Sequence, residues 1–169
     1  MDKKLEKLIN EQITKEYYSS YLYLSMAAYF ETQNLSGFRH WMKMQAQEET
    51  LHGNKFFDYM NDRGSKVILG AIAKPPADFK STKDVFEQTL AHEKIVTASI
   101  SNLYAVAQKV NDIATLMMLQ WFITEQVEEE KNASDILARV SFVKSDTMGI
   151  LMLDKELLVR MQPVPPVAE

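Results

Sequence analysis

The segment Glu48-Glu49-Thr50-Leu51-His52 contains residue types that bind metal ions. Because an α-helix advances by about 100° per residue, Glu49 and His52 project within about 60° of one another and can hold one ion together. The Glu-x-x-His spacing alone is weak evidence, since two polar residues on a solvated helix also produce it. However, Glu49 belongs to a series with the spacing of a core-facing helix surface, namely Phe38, Met42, Gln45, Glu49, Gly53, Phe56 and Met60.

Acids interrupt three other helical stripes in the same way. Glu16 lies in the stripe of the first long segment, Glu93 in that of the third, and Glu125 and Glu129 in that of the fourth. If the stripes face inward, these carboxylates converge at mid-height, where burying them without compensation costs many kcal/mol. No Lys or Arg occupies any of the four stripes. The sequence therefore predicts that a bound cation supplies the missing positive charge.

The predicted ligands are carboxylates and one imidazole, that of His52. The chain has no Cys, which excludes thiolate sites and thiol catalysis and fits a reducing compartment. Such ligands suit iron or manganese and, less specifically, magnesium, calcium or zinc. A Glu from each of two helices and a Glu-x-x-His motif from each of the other two is the ligand arrangement of di-iron helical bundles. Acids replace the second His, which predicts a weaker second metal position.

Four long amphipathic segments and one short segment must position these residues. The predicted helices span about 3–33, 36–63, 82–110, 112–143 and 147–161. Short connections make consecutive helices antiparallel pairs, and the Asn34-Leu35-Ser36-Gly37 break offers a turn and capping side chains before the second helix. The Pro-rich segment at about 65–81 predicts a crossover. We therefore expect an all-α fold, a four-helix bundle (about 3–143) with one long crossover and a short C-terminal fifth helix.

Composition limits the domain organisation and the function classes. With 169 residues, 46% hydrophobic and 25% charged, the chain suits one globular domain over 1–169, with a loose Pro-rich tail at 163–169. The net charge of -4 gives no reason to expect nucleic acid as a partner. No apolar run approaches 18 residues and the N-terminus lacks the apolar core of a signal peptide. We therefore expect no membrane partner and a cytoplasmic location.

The order and helical phase of these motifs resemble those of the non-haem prokaryotic ferritins. The resemblance rests on four parts of the chain: Glu16 followed by Tyr23, the segment 47–52, His92-Glu93, and the segment 120–130. It implies a ferritin-like fold and a homo-oligomeric shell of twenty-four subunits. It also implies iron storage with ferroxidase activity, in which ferrous iron is oxidised by dioxygen or hydrogen peroxide and ferric mineral is stored inside the shell.

The resemblance also implies roles for individual residues. Glu16, Glu49 and His52 resemble the first iron site, and Glu49 would bridge to a second iron. Glu93 and Glu129 resemble the ligands of that second iron, and Gln126 lies close to this pair. Tyr23 resembles the tyrosine near the ferroxidase centre, which can hydrogen-bond to a ligand carboxylate or supply an electron. Thr50 stands where the axial Met of bacterioferritin would be, so no haem is expected.

The resemblance also implies a third iron site on the cavity side of the subunit, through which iron would pass. Four acids resemble its ligands: Glu48, Glu125, Glu128 and Glu129. Simpler interpretations remain open for some residues. Tyr23 and Trp121 can be packing aromatics, Glu128 can be part of a solvated face, and His40 and His92 fit ordinary helix positions. Two other functions also remain open, a di-iron oxidase or peroxidase that does not mineralise iron, and a structural shell subunit with a silent site.

Overall fold

The computed structural model describes residues 1–144 and 146–162. Within these ranges the chain forms five helices and no strand: α1 (Lys3–Thr32), α2 (Ser36–Asp62), α3 (Thr82–Lys109), α4 (Ile113–Val143) and α5 (Thr147–Leu157). α1 packs mainly against α2 and α3 mainly against α4. The predicted all-α fold is confirmed. α5 ends at Leu157, before the predicted end near Met161, and the predicted loose tail lies outside the described residues.

Three of the long helices have a side-chain cap at the N-terminus. The Asp2 side chain accepts hydrogen bonds from the N–H groups of Lys4 and Leu5 in α1. In the same way, the Ser81 side chain accepts from the N–H of Asp84 in α3, and the Asp112 side chain accepts from the N–H of Thr115 in α4. These caps satisfy N–H groups that have no partner within the helix. The crossover at 63–81 runs along α1, where the Asn10 side chain accepts from the N–H of Ile68 at 2.6 Å.

The N-terminus of α2 is capped from a distant part of the chain. Its N-cap residue, Leu35, has no side-chain acceptor, and Asp154 of α5 replaces it by accepting from the N–H groups of Gly37 and Phe38 at 2.8 and 3.0 Å. A Cβ at position 37 would lie 1.6 Å from the carbonyl oxygen of Asp154, so only glycine permits this approach. The prediction of a local cap for α2 was therefore wrong, and the cap fixes α5 against the bundle.

Two apolar clusters fill the bundle, one toward each end. One contains the stacked rings of Phe30 and Phe38, and the other contains those of Phe56 and Phe122, whose centroids are 4.0 Å apart. A layer of buried polar residues separates the two clusters. None of the five helices in the described ranges combines the length and apolarity that crossing a lipid bilayer requires.

Candidate metal centre

The polar layer contains one buried carboxylate from each of the four long helices. Each of these carboxylates, and the imidazole beside them, is no more than 3% exposed: Glu16 (α1), Glu49 and His52 (α2), Glu93 (α3) and Glu129 (α4). The inward stripes therefore bring the acids together at one level, because each acid takes the place of an apolar residue in its helix.

Glu16, Glu49 and His52 form a compact group of potential ligands. One ligand atom from each of these residues lies within 4.8 Å of the others, and Nδ1 of His52 is 3.6 Å from Oε2 of Glu49. Oε2 of Glu16 is buried and has no hydrogen-bond partner among the described residues. Two facing carboxylates cannot satisfy each other without a proton or a cation between them. This arrangement fits a metal ion.

A second group contains His52, Glu125 and Glu129, again with ligand atoms within 4.8 Å of one another. Glu93 belongs to neither group, although the resemblance placed it with Glu129 at the second iron. Its carboxylate instead accepts hydrogen bonds from the hydroxyl of Tyr23 and, at 3.3 Å, from Nε2 of Gln126. Glu93 is thus held by neutral donors beside the two groups.

Burial and mutual repulsion make the centre a strong acceptor of positive charge. Burial, followed by the charge of Glu49, raises the pKa of Glu16 from 4.5 to about 8. Burial and repulsion from Glu93 raise the pKa values of Glu49 and Glu129 well above the usual range. Burial also raises the pKa of Glu93. Burial therefore favours the protonated form of these groups when no metal is bound, and a cation would displace those protons.

Lys and Arg do not neutralise the four buried acids. Among the residues described, none of these acids forms an ion pair with a Lys or Arg side chain. At the edge of the centre, Arg160 forms an ion pair with Glu48, an acid that lies outside the four stripes. Arg160 follows α5 and belongs to none of the helical stripes, so the stripe pattern gave no indication of this contact.

Two glutamines hold the carboxylates from one turn away. Nε2 of Gln12 donates to Glu16 at 2.8 Å, and Nε2 of Gln45 donates to Glu49 at 3.2 Å and to Glu129 at 2.7 Å. Both were missed as site residues. Their Gln-x-x-x-Glu spacing was a usable signal, since side chains four residues apart meet on a helix.

The amide of each glutamine is oriented by a donor on its far side. Ser99 donates to Oε1 of Gln12, and Nζ of Lys15 donates to Ser99 at 2.7 Å. Arg160 donates directly to Oε1 of Gln45 at 2.8 Å. Because each amide oxygen is already an acceptor for these groups, each amide NH₂ must face the carboxylates.

The aromatic residues contact the ligands directly. Tyr23 is fully buried, donates to Glu93, and has a pKa well above its usual range because of burial and the charge of Glu93. The rings of Trp121 and His52 meet at nearly a right angle, with centroids 5.3 Å apart. His92 lies in neither metal group, and burial lowers its pKa to about 4.

The predicted third-site residues lie around a surface cavity of about 370 Å³ beside the buried centre. Glu129 forms its buried side, Glu125 is half-buried and Glu128 is exposed. Glu48 also lines the cavity, where it is paired with Arg160. Only Glu125 and Glu129 of these four acids belong to a group of converging ligand atoms in the described chain.

Comparisons with known proteins agree with this architecture. A family model described as a Ferritin-like domain matches residues 6–143. A bacterial non-heme ferritin of Staphylococcus epidermidis is 37% identical over 160 residues, covering 95% of this chain and 96% of that protein. An open-pore ferritin of the archaeon Archaeoglobus fulgidus is 43% identical with a TM-score of 0.94, covering 95% of this chain and 99% of that one. An engineered closed form of the A. fulgidus ferritin is 42% identical with a TM-score of 0.95, covering 96% and 99%. The chain therefore belongs to the ferritin family.

Proposed function

We propose that this protein stores iron and that its buried centre oxidises ferrous iron before storage. The observation that carries the proposal is the enclosed set of carboxylates around His52, in which Oε2 of Glu16 has no partner among the described residues. Membership of the ferritin family and the non-heme ferritins among its relatives support the choice of iron. Iron is the substrate and cargo of the centre.

In this proposal the first ferrous ion binds to Glu16, Glu49 and His52. Glu49 also bridges to a second ion held by Glu93 and Glu129, which requires the Glu93 side chain to turn from its present donors toward Glu129. Anionic oxygen ligands stabilise ferric over ferrous iron, so binding lowers the energy needed for oxidation. The two ferrous ions lose one electron each, and dioxygen takes up two electrons and two protons to form hydrogen peroxide.

The surrounding side chains position the ligands and handle protons. Carboxyl groups with raised pKa values release their protons when iron binds, and those protons are available for the reduction of dioxygen. Gln45 and Gln126 hold the carboxylates by hydrogen bonds. We assign to Tyr23 the role of holding Glu93 and, as a phenol in contact with a ligand, of supplying an electron when only one ferrous ion is present.

Iron would then leave the centre through the cavity lined by the third-site acids, Glu48, Glu125, Glu128 and Glu129. We propose that subunits assemble into a hollow homo-oligomeric shell of twenty-four copies, as the family resemblance implies, and that this shell lies in the cytoplasm. Ferric mineral would be stored inside this shell. Hydrogen peroxide is the alternative oxidant.

The test is aerobic addition of ferrous iron to the purified protein, with ferric absorbance recorded over time and the product sized afterwards. We expect oxidation well above the buffer rate, and loss of that excess in Glu49→Gln and His52→Ala. Glu11→Gln, an exposed position on α1, is the matched control and should behave as wild type. Oxidation that does not depend on Glu49 and His52 would refute the proposal. Oxidation on a small oligomer that retains only a few irons would instead indicate a non-mineralising di-iron oxidase.

A further inference from the structure

The side chain of Arg160 lines the cavity beside the buried centre. Its guanidinium forms an ion pair with Glu48, donates to Oε1 of Gln45 at 2.8 Å, and lies over the ring of Trp41 with its central carbon 4.5 Å from the ring centroid. A planar guanidinium suits this combination of stacking and charge-assisted hydrogen bonding. Its position is therefore specified by three partners rather than by one exposed ion pair.

The segment that carries Arg160 is fixed to α2 at two further points. Nε2 of His40 donates to the backbone carbonyl of Arg160 at 2.8 Å. Asp154 caps the N-terminus of α2 through the close approach at Gly37. The docking of α5 thus delivers a positive charge to the cavity, although α5 itself contributes no side chain to the metal centre.

Arg160 is also connected to the buried ligands. Its donation to Oε1 of Gln45 directs Nε2 of that amide toward Glu49 and Glu129. If Arg160 left the cavity, this oxygen would lose a charged donor and the amide would become free to rotate. A change in the C-terminal segment can therefore reach the centre through one side chain.

We propose that Arg160 is an exchangeable internal counter-ion, which holds Glu48 when the cavity contains no metal and must be displaced when a cation binds there. The inference rests on the proposed function, because the cation it competes with is the iron passing through the cavity. The Glu48 carboxylate cannot pair with the guanidinium and bind a multivalent cation equally strongly at the same time, and the two positive charges repel one another. Occupation of the cavity is thereby coupled to release of the segment after α5.

The test measures binding of terbium(III), a redox-inactive ion that prefers oxygen ligands, to the assembled full-length protein. Energy transfer from Trp41, which lines the cavity, reports on an ion there, and the emission lost in Trp41→Phe identifies that part of the signal. We expect Arg160→Gln to bind terbium roughly tenfold more tightly in the Trp41-dependent signal, because the competing charge-assisted contact is lost. Arg160→Lys keeps the charge but loses the planar guanidinium that stacks on Trp41, so its terbium affinity should lie between those of wild type and Arg160→Gln.

Arg139→Gln is the matched control, since Arg139 forms an exposed ion pair with Glu156 of α5 and does not line the cavity. It should leave the Trp41-dependent affinity unchanged. Equal affinity in wild type and Arg160→Gln, or an equal gain in Arg139→Gln, would overturn the proposal. Because the readout needs no oxidation, it is separable from the proposed function. If Arg160→Gln binds terbium more tightly than wild type but neither protein oxidises ferrous iron above the buffer rate, the counter-ion role is retained and the ferroxidase is rejected.

Discussion

Replacing Glu16 with glutamine should stabilise the metal-free protein while weakening metal binding. The pKa of Glu16 is raised from 4.5 to about 8 by burial and by Glu49, so between these pH values the folded protein retains a proton that the unfolded chain has lost. Stability of the metal-free protein must therefore fall as pH rises through this window, by at most about 1.4 kcal/mol per pH unit. At about pH 7.5 the accumulated cost approaches 4 kcal/mol, and Glu16→Gln removes it.

Part of that cost is shared with Glu49, so we expect Glu16→Gln to unfold with a free energy about 2–4 kcal/mol higher than wild type at about pH 7.5. The difference should disappear well below pH 4.5, where both states of the wild-type protein are protonated at this position. The assay is denaturant unfolding in the presence of chelator, at matched protein concentration because assembly contributes to stability. Glu11→Gln, an exposed position on the same helix, controls for the change of side chain. A variant no more stable than this control at pH 7.5 would refute the electrostatic reasoning.

Further predictions concern the imidazole, the tyrosine and the cap of α2. His52→Ala should weaken binding of zinc, a redox-inactive probe, by roughly tenfold or more, measured by calorimetry, while an unchanged affinity would remove His52 from the site. Tyr23→Phe should destabilise the metal-free protein by about 1–3 kcal/mol because Glu93 loses a buried donor, and saturating zinc should reduce this loss. Unfolding with chelator or zinc distinguishes this from a simple packing defect, in which zinc gives no recovery. Asp154→Ala should cost about 1–2 kcal/mol and accelerate amide hydrogen exchange at Gly37 and Phe38, whereas unchanged exchange would contradict the cap.

Helix content and the level of the buried acids were predictable because both follow from local spacing. Glu49 and Glu93 each interrupt an apolar series of period three and four, and the structure buries both. Agreement was poorer in α4, whose predicted stripe began at Ala114 and Met118. The structure exposes Ala114 and buries Thr115 instead. Apolar residues occur on several faces of α4, so the periodic signal there is ambiguous.

Contacts between distant parts of the chain could not be predicted in the same way. In the sequence, Asp154 is only a polar residue within an apolar helix. The N–H groups that it caps are more than a hundred positions away in α2. Arg160 lies beyond the end of α5, where no periodicity indicates which surface it meets. The stripe pattern therefore predicted that the four buried acids have no Lys or Arg partner, but it gave no information about the partner of Glu48 at the cavity. Tertiary docking of α5 decides both contacts.

The most direct test of the central claim is anomalous diffraction at the iron edge from crystals soaked anaerobically with ferrous iron. The claim is that enclosed carboxylates receive their compensating charge from a metal. It predicts an anomalous peak contacting Glu16, Glu49 and His52, and a second, weaker peak near Glu129 and Glu93. The absence of any peak in the polar layer, with the carboxyl groups still buried around His52, would contradict the claim.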